Sequence, residues 1–294
     1  MKKWIFLIIT LLLSACGSPE IPKWYVNTPK DNSLYFYASA EGYSKQEAVK
    51  SALNDIASRI NVKISSNFVI NRGIHNKKTY NEIYQQINTQ ISNVSFNNYE
   101  ILKTEKQEDK YYVLVRVNKQ KLIKSLKTKI NLKFQNLNFD TQSPIKKVIS
   151  AYRILNSLKK IKSDVFILES LGIDINPYII KIEKLENKAK EIIINTKFSI
   201  KANRFKDATI EVLSRYLTIT PNSANIISLN VTTKKLILFN NYIIKGKASI
   251  FIDKPYTITF LGKSVSSYKE ALNFAKTEYK ERLKKLAENI FNSF

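Results

Sequence analysis

The chain of 294 residues carries 48 Lys and Arg against 24 Asp and Glu, a formal charge of +24, yet only seven of its basic residues are arginine. Bidentate recognition of phosphates and bases favours arginine, so a lysine-dominated surface argues against a nucleic-acid binder, and a single cysteine excludes any disulfide within the chain. A 44% hydrophobic share with 24% charged residues is that of a packed globular protein rather than a disordered one.

The chain opens on a positive n-region, Lys2 and Lys3, and an apolar run over 4–13. That run is too short to cross a bilayer, which takes about 20 apolar residues, and it reads as an export signal. Leu13-Ser14-Ala15-Cys16 follows. Leu13 is too large for an ordinary A-x-A cleavage site ending at Ala15, but it fits a lipobox, in which the thiol of Cys16 takes a diacylglyceryl group and cleavage falls between Ala15 and Cys16. The competing reading is a plain signal peptide with a free cysteine. Aspartate after the cysteine marks bacterial lipoproteins retained in the inner membrane, so the likeness to lipoproteins implies that Gly17 sends the chain to the outer membrane. Three acyl chains on the mature protein would make the anchor effectively permanent.

Residues 17–23 hold Ser18, Pro19 and Pro22 without apolar periodicity and read as a tether. A strand is expected over 34–40. A helix follows from the capping box Ser44 and Glu47, with Val49, Ala52, Leu53, Ile56 and Ile60 on one face. A strand is expected over 62–70, a polar stretch of open conformation over 71–93, and a hairpin from 96–104 and 111–117 across a turn at 107–110. Residues 126–141 are polar and basic with few strong signals. Ser143-Pro144 starts a helix whose stripe, Ile145, Val148, Ile149, Tyr152, Leu155, Leu158 and Ile161, is flanked by Lys146, Lys147, Arg153, Lys159, Lys160 and Lys162. Such a helix either packs on a neighbouring domain or lies on a membrane. A second connecting helix is expected over 177–190. The second set then holds a helix over 205–217, strands over 236–239 and 242–252 about a turn at Asn240-Asn241, a strand over 256–261, and a long last helix capped by Ser267 and Glu270.

The two capped helices align at an offset of 223 residues, placing Ser44, Glu47, Ala48, Ala52, Asp55 and Arg59 on Ser267, Glu270, Ala271, Ala275, Glu278 and Arg282. This reads either as an internal duplication or as two lysine-rich amphipathic helices with similar caps.

Pro22-Lys23-Trp24-Tyr25, Pro29, residues 35–42 and the run from Asp55 to Val62 resemble the LPP-twenty lipoproteins of epsilon-class proteobacteria. That family is similar to the flagellar outer-membrane lipoprotein FlgP and more distantly to the amino-terminal domain of FlgT. The resemblance covers 24–121; Ala38 and Ala40 stand where relatives often carry glycine. It implies outer-membrane attachment, assembly of some members into rings or disks around the flagellar motor, and no catalytic residues.

Chemistry-bearing residues are sparse. His75 is the only histidine, so neither a zinc site nor a Ser-His-Asp triad is expected, and Glu47 and Glu270 are committed to caps. Six glycines leave little material for a phosphate loop. Trp24 and Tyr25 read as anchors of the first strand, or as an exposed aromatic ledge.

The expected fold class is α+β, two modules each with a helix packed on an antiparallel sheet, joined by connecting helices. The expected divisions are a signal peptide (1–15), a tether (16–23), an LPP-twenty-like domain (24–125), a helical connector (126–190) and a second α+β domain (191–294). The expected function is a structural or assembly role in the envelope, one form being a flagellar basal ring or disk. Its expected partners are the outer membrane, through lipid on Cys16, envelope or flagellar proteins, and a second copy of the chain, with no nucleic acid. No catalytic, metal or cofactor-binding residue is assigned. The alternative is a module that binds envelope polymer or lipid through a lysine-rich face.

Overall fold

The structure, a computed structural model, describes residues 21–72, 99–140 and 142–292. Two compact units divide the chain: Met1–Asn131 with Ser163–Ile175, and Leu132–Lys162 with Asn176–Phe294. The fold is mixed α+β, as the sequence predicts.

The first unit opens on a short helix α1 (Lys23–Val26), followed by β1 (Tyr35–Gly42), α2 (Lys45–Arg72), β2 (Tyr99–Gln107) and β3 (Lys110–Asn118). β3 lies between β1 and β2 and is antiparallel to both. The hairpin turn is two residues, Glu108 and Asp109, with Glu108 at φ 50°. The capping box forms: the Glu47 amide donates to Ser44 Oγ at 3.1 Å, and the Glu47 carboxylate accepts from the Tyr43 amide at 3.0 Å. α2 packs on β1 and β3, bringing Ala48, Ala52, Ile56 and Ile60 into a core shared with Val113, Val115 and Val117. Its alanines permit close approach, and a Cβ on Gly42 would stand 2.6 Å from the Ala48 nitrogen. Tyr112 and Leu114 are buried as well, so β3 is covered on both faces rather than alternating in and out.

Residues 62–70, expected as a strand, continue α2. No Gly or Pro interrupts the chain between Ser44 and Gly73, and elongation of a nucleated helix outweighs the modest strand preference of Val62. The polar stretch from 73 onward, with His75, and the first residues of the expected strand at 96 lie outside the described residues. A further helix, α3 (Lys119–Gln135), occupies a segment that carried few signals. Its apolar residues Leu122, Leu126, Ile130 and Phe134 recur every fourth position and are buried, while Asn118 Oδ1 caps it by accepting from the Lys121 amide at 3.0 Å.

α4 (Pro144–Ser170) starts as predicted, the Lys146 amide donating to Ser143 Oγ at 3.3 Å. Ser163–Ser170 of α4 counts with the first unit, where Asp164, wholly buried, accepts from Lys129 Nζ at 3.0 Å. The earlier part of α4 belongs to the second unit, and there Val148 and Ile149 join the core with Ile145, Tyr152 and Leu155 packed against it. Residues 126–190, read as a connector, thus carry helices, with breaks after Gln135 and Ser170, and are divided between the units.

The second unit continues with α5 (Asn176–Asn195), β4 (Lys197–Ala202), α6 (Lys206–Leu213), β5 (Thr218–Ile219), β6 (Ile226–Leu238), β7 (Asn241–Phe251), β8 (Pro255–Ser264) and α7 (Tyr268–Phe291). The strand order is β5-β4-β6-β7-β8. This sheet is mixed rather than antiparallel: β4 runs parallel to β5 and to β6, because α6 supplies the crossover that a parallel neighbour requires. α6 is shorter than the helix expected over 205–217: it ends at Leu213, and Phe205 stands just before it in the left-handed region at φ 59°. Its ring lies 5.4 Å from Tyr279 and 5.5 Å from Phe260.

The β6–β7 turn falls one residue earlier than expected. Leu238 pairs with Asn241, so the turn residues are Phe239 and Asn240, at φ 48° and 58°, and the Asn241 side chain donates back to the Phe239 carbonyl at 2.7 Å. α7 is capped as predicted, the Glu270 amide donating to Ser267 Oγ at 3.2 Å. It lays Ala271, Ala275, Tyr279, Leu283 and Ile290 into the core over β7 and β8.

The correspondence between the two capped helices extends to their sheets. In space the first unit reads β2-β3-β1 with α2 following β1; the second reads β6-β7-β8 with α7 following β8, every neighbouring pair antiparallel. The elements match with the chain order permuted. Both helices also carry the same ion pair four residues apart, Arg59 with Asp55 at 3.2 Å and Arg282 with Glu278 at 2.7 Å.

Candidate functional site

Ala15 and Cys16, the residues expected to be cleaved and lipidated, lie outside the described residues. The described residues begin five positions after Cys16. Tyr25 of α1 meets Tyr112 edge-on at 4.9 Å, its carbonyl accepts from Thr28 Oγ1 at 3.1 Å and Ser39 Oγ at 3.2 Å, and Lys103 Nζ stands 5.9 Å from the centre of the Trp24 ring. The aromatic pair therefore anchors α1 to the sheet face opposite α2. Burial and the nearby Glu41 carboxylate raise the pKa of Tyr25, so its hydroxyl stays neutral.

A shallow depression follows, lined by Thr28, Pro29, Asp31, Tyr37, Asp55 and Arg59. Arg59 donates to Asp31 at 2.7 Å and to the Tyr37 carbonyl at 2.5 Å, and pairs with Asp55. A guanidinium so engaged ties the segment after Pro29 to α2. It is a clamp on the fold.

The second unit holds a larger open cleft, about 710 Å³, between the 136–140 segment and α4, with Lys146, Ser150, Arg153, Ser157 and Asp253 on its walls. Its polar groups are largely committed. Ser150 Oγ donates to the Lys147 carbonyl at 2.8 Å and accepts from the Asp140 amide, Lys146 Nζ donates to Gln142, and Asp253 accepts from the Tyr256 hydroxyl. Burial, reinforced by that bond to Asp253, pushes the Tyr256 hydroxyl up to about 12. No histidine or cysteine lines the cleft, so Ser150 has no imidazole or thiolate base at hand, and the cations Lys146 and Arg153 are matched there by the carboxylates of Asp140 and Asp253. Among the described residues, no cluster of three or more His, Cys, Asp or Glu could hold a metal ion, and no helix is long and apolar enough to cross a membrane.

Two open surfaces stand out. Along β2, eight of nine residues are exposed, including Tyr99, Ile101 and Leu102, and among the described residues β2 pairs only with β3. At the far end of the β6–β7 hairpin, Leu236, Ile237, Leu238 and Phe239 are all exposed. The sequence reveals the apolar character of 236–239 but not its exposure, since an apolar run in a strand ordinarily signals burial.

None of the curated proteins matches this sequence. The fold is similar to that of the secreted protein HP1454 from Helicobacter pylori, with a TM-score of 0.52 and 18% identity over 88% of this chain and 98% of that one, a likeness of fold alone. Residues 22–118 match the LPP20 lipoproteins, so the resemblance carried by the stretch from Pro22 to Val62 is borne out over that part of the chain.

Proposed function

We propose that the chain is an outer-membrane lipoprotein, cleaved after Ala15 and held by lipid on Cys16, with a structural or assembly role in the envelope. The family match, beginning six residues beyond the lipobox cysteine, supports an envelope lipoprotein. The observation that carries the assembly role is β2, an exposed strand that among the described residues pairs on one edge only, so that its other edge would offer backbone donors and acceptors to a strand of a neighbour, a second copy included. A ring or disk of such copies at the flagellar base is one specific form. The excess of 48 basic over 24 acidic residues, mostly lysine, favours a second reading, retention of an anionic envelope polymer or lipid on a lysine-rich face.

Crosslinking in intact cells, with mass spectrometry of the outer-membrane fraction, tests the assembly role. Recovery of the chain with itself or with envelope proteins through peptides of β2 is the expected result; recovery as a lone chain on polymer rejects it. Cys16→Ala tests the anchor, with release to the soluble periplasmic fraction expected and retention on outer membranes refuting it.

A further inference from the structure

The end of the β6–β7 hairpin is apolar on both faces. Phe239, at the turn, is 89% exposed and Ile237 is 64% exposed, with Leu236 and Leu238 beside them. Strand alternation sends Leu236 and Leu238 to one face and Ile237 to the other, so no single face collects the apolar groups. Phe239 also takes the left-handed conformation, φ 48°, which Asn or Gly adopts more readily than a bulky aromatic. A turn serving only to reverse the chain in water would not favour phenylalanine there.

Behind this tip stands a collar of lysines. Lys234 lies directly opposite Lys245, a like-charge pair that weakens an isolated hairpin, and Lys263 sits opposite Ile243 on the next strand. Lys235 projects to the other face, over the Tyr268 ring at 5.1 Å, and Tyr268 meets Tyr242 edge-on at 4.9 Å. At about 3.4 Å per residue, the collar begins about 10 to 14 Å behind Leu238. From Val212 to Ile252 the chain holds no Asp or Glu. Among the described residues, no carboxylate lies within ion-pair distance of Lys234, Lys235, Lys245 or Lys263. Glu270, in the first turn of α7, accepts from Ser264 Oγ at 2.6 Å.

We infer that this hairpin is a membrane-inserting finger: Leu236 to Phe239 enter the acyl region of a bilayer, while the lysine collar engages anionic phospholipid headgroups and Tyr242 and Tyr268 sit at the interface. An apolar tip covered on all sides, ringed by cations on both faces, is complementary to a fluid anionic surface; a protein partner would need only one face. This goes beyond the assembly role and does not depend on the lipid at Cys16.

The test uses the mature chain carrying Cys16→Ala, mixed with vesicles of phosphatidylethanolamine and phosphatidylglycerol, and separately with phosphatidylcholine. Partition into the anionic vesicles is expected to exceed that into phosphatidylcholine and to fall with salt, each Lys→Gln change at 234, 235 or 245 lowering it about fivefold. Phe239→Asn should lower partition more than tenfold while leaving the thermal midpoint unchanged or raised, because asparagine suits the turn. Phe239→Trp should shift its emission to the blue on binding and be quenched by brominated acyl chains. Absence of partition, partition indifferent to the tip, or self-association through the tip without vesicle binding would each overturn the inference.

Discussion

Gly262 of β8 is the point where the closing helix of the second unit comes nearest the sheet. A Cβ there would lie 1.8 Å from the Ala271 carbonyl oxygen, 2.4 Å from the Ala275 nitrogen and 2.8 Å from the Ala275 Cβ. Two of these are helix backbone atoms, which no rotamer change can move. Restoring an ordinary carbon–oxygen separation of about 3.3 Å requires α7 to withdraw by about 1.5 Å. A gap of that size forfeits at least half the dispersion contact along the face carrying Ala271, Ala275, Tyr279 and Leu283, all fully buried. Gly262→Ala should therefore cost about 3 kcal/mol, the upper end for overpacking by a single methyl. Gly246→Ala is the control. Its Cβ would meet ring carbons of Phe260 at 2.0 and 2.1 Å, and a side chain can give way, so the cost should be lower. Urea unfolding of the chain from residue 16 onward, followed by circular dichroism, measures both. A loss below about 1 kcal/mol for Gly262→Ala, or one no greater than for Gly246→Ala, would refute the argument that helix backbone is what the methyl meets.

Burial pushes the Tyr279 hydroxyl up to about 12 against an ordinary 10.0, the bond to Thr209 opposing in part. Between those values the folded chain keeps a proton that the unfolded chain loses, so this contribution is complete below pH 10 and falls away as pH rises toward 12, by about 3 kcal/mol in all. Tyr279→Phe should cost about 1 kcal/mol at neutral pH through the lost bond to Thr209 and flatten the alkaline decline, which urea midpoints across that range would show. Tyr256, also raised to about 12, leaves a residual slope in the variant. Ser267→Ala removes the cap of α7 and should cost about 1 kcal/mol, read as a lower urea midpoint that Ser267→Asp restores.

What the sequence revealed was local chemistry. Ser44 with Glu47, Ser267 with Glu270 and Ser143 with Pro144 mark helix starts because a side-chain oxygen or a missing amide satisfies the first turn wherever the chain lies. What escaped depended on the rest of the fold. Residues 62–70 have the branched side chains of a strand, yet they extend a helix nucleated far upstream. Leu122, Leu126, Ile130 and Phe134 were diluted by lysines until their common burial revealed the stripe. The parallel pairing of β4 follows from the crossover through α6, a relation between segments that no window of residues contains. The membrane finger was hidden for a related reason: Leu236 to Phe239 look like core until the sheet around them ends.

The permuted order of elements means that two modules of one architecture are finished in opposite ways. In the first, α2 is made early and the central strand β3 arrives last, to slot between two strands already synthesised. In the second, β6, β7 and β8 can zip up one after another, but their inner face stays bare until α7 emerges. A chain interrupted before Tyr268 would leave β7 and β8 without the helix that covers them, the kind of surface that aggregates or invites proteases. Helix α7 is thus the seal that separates a finished second unit from a broken one.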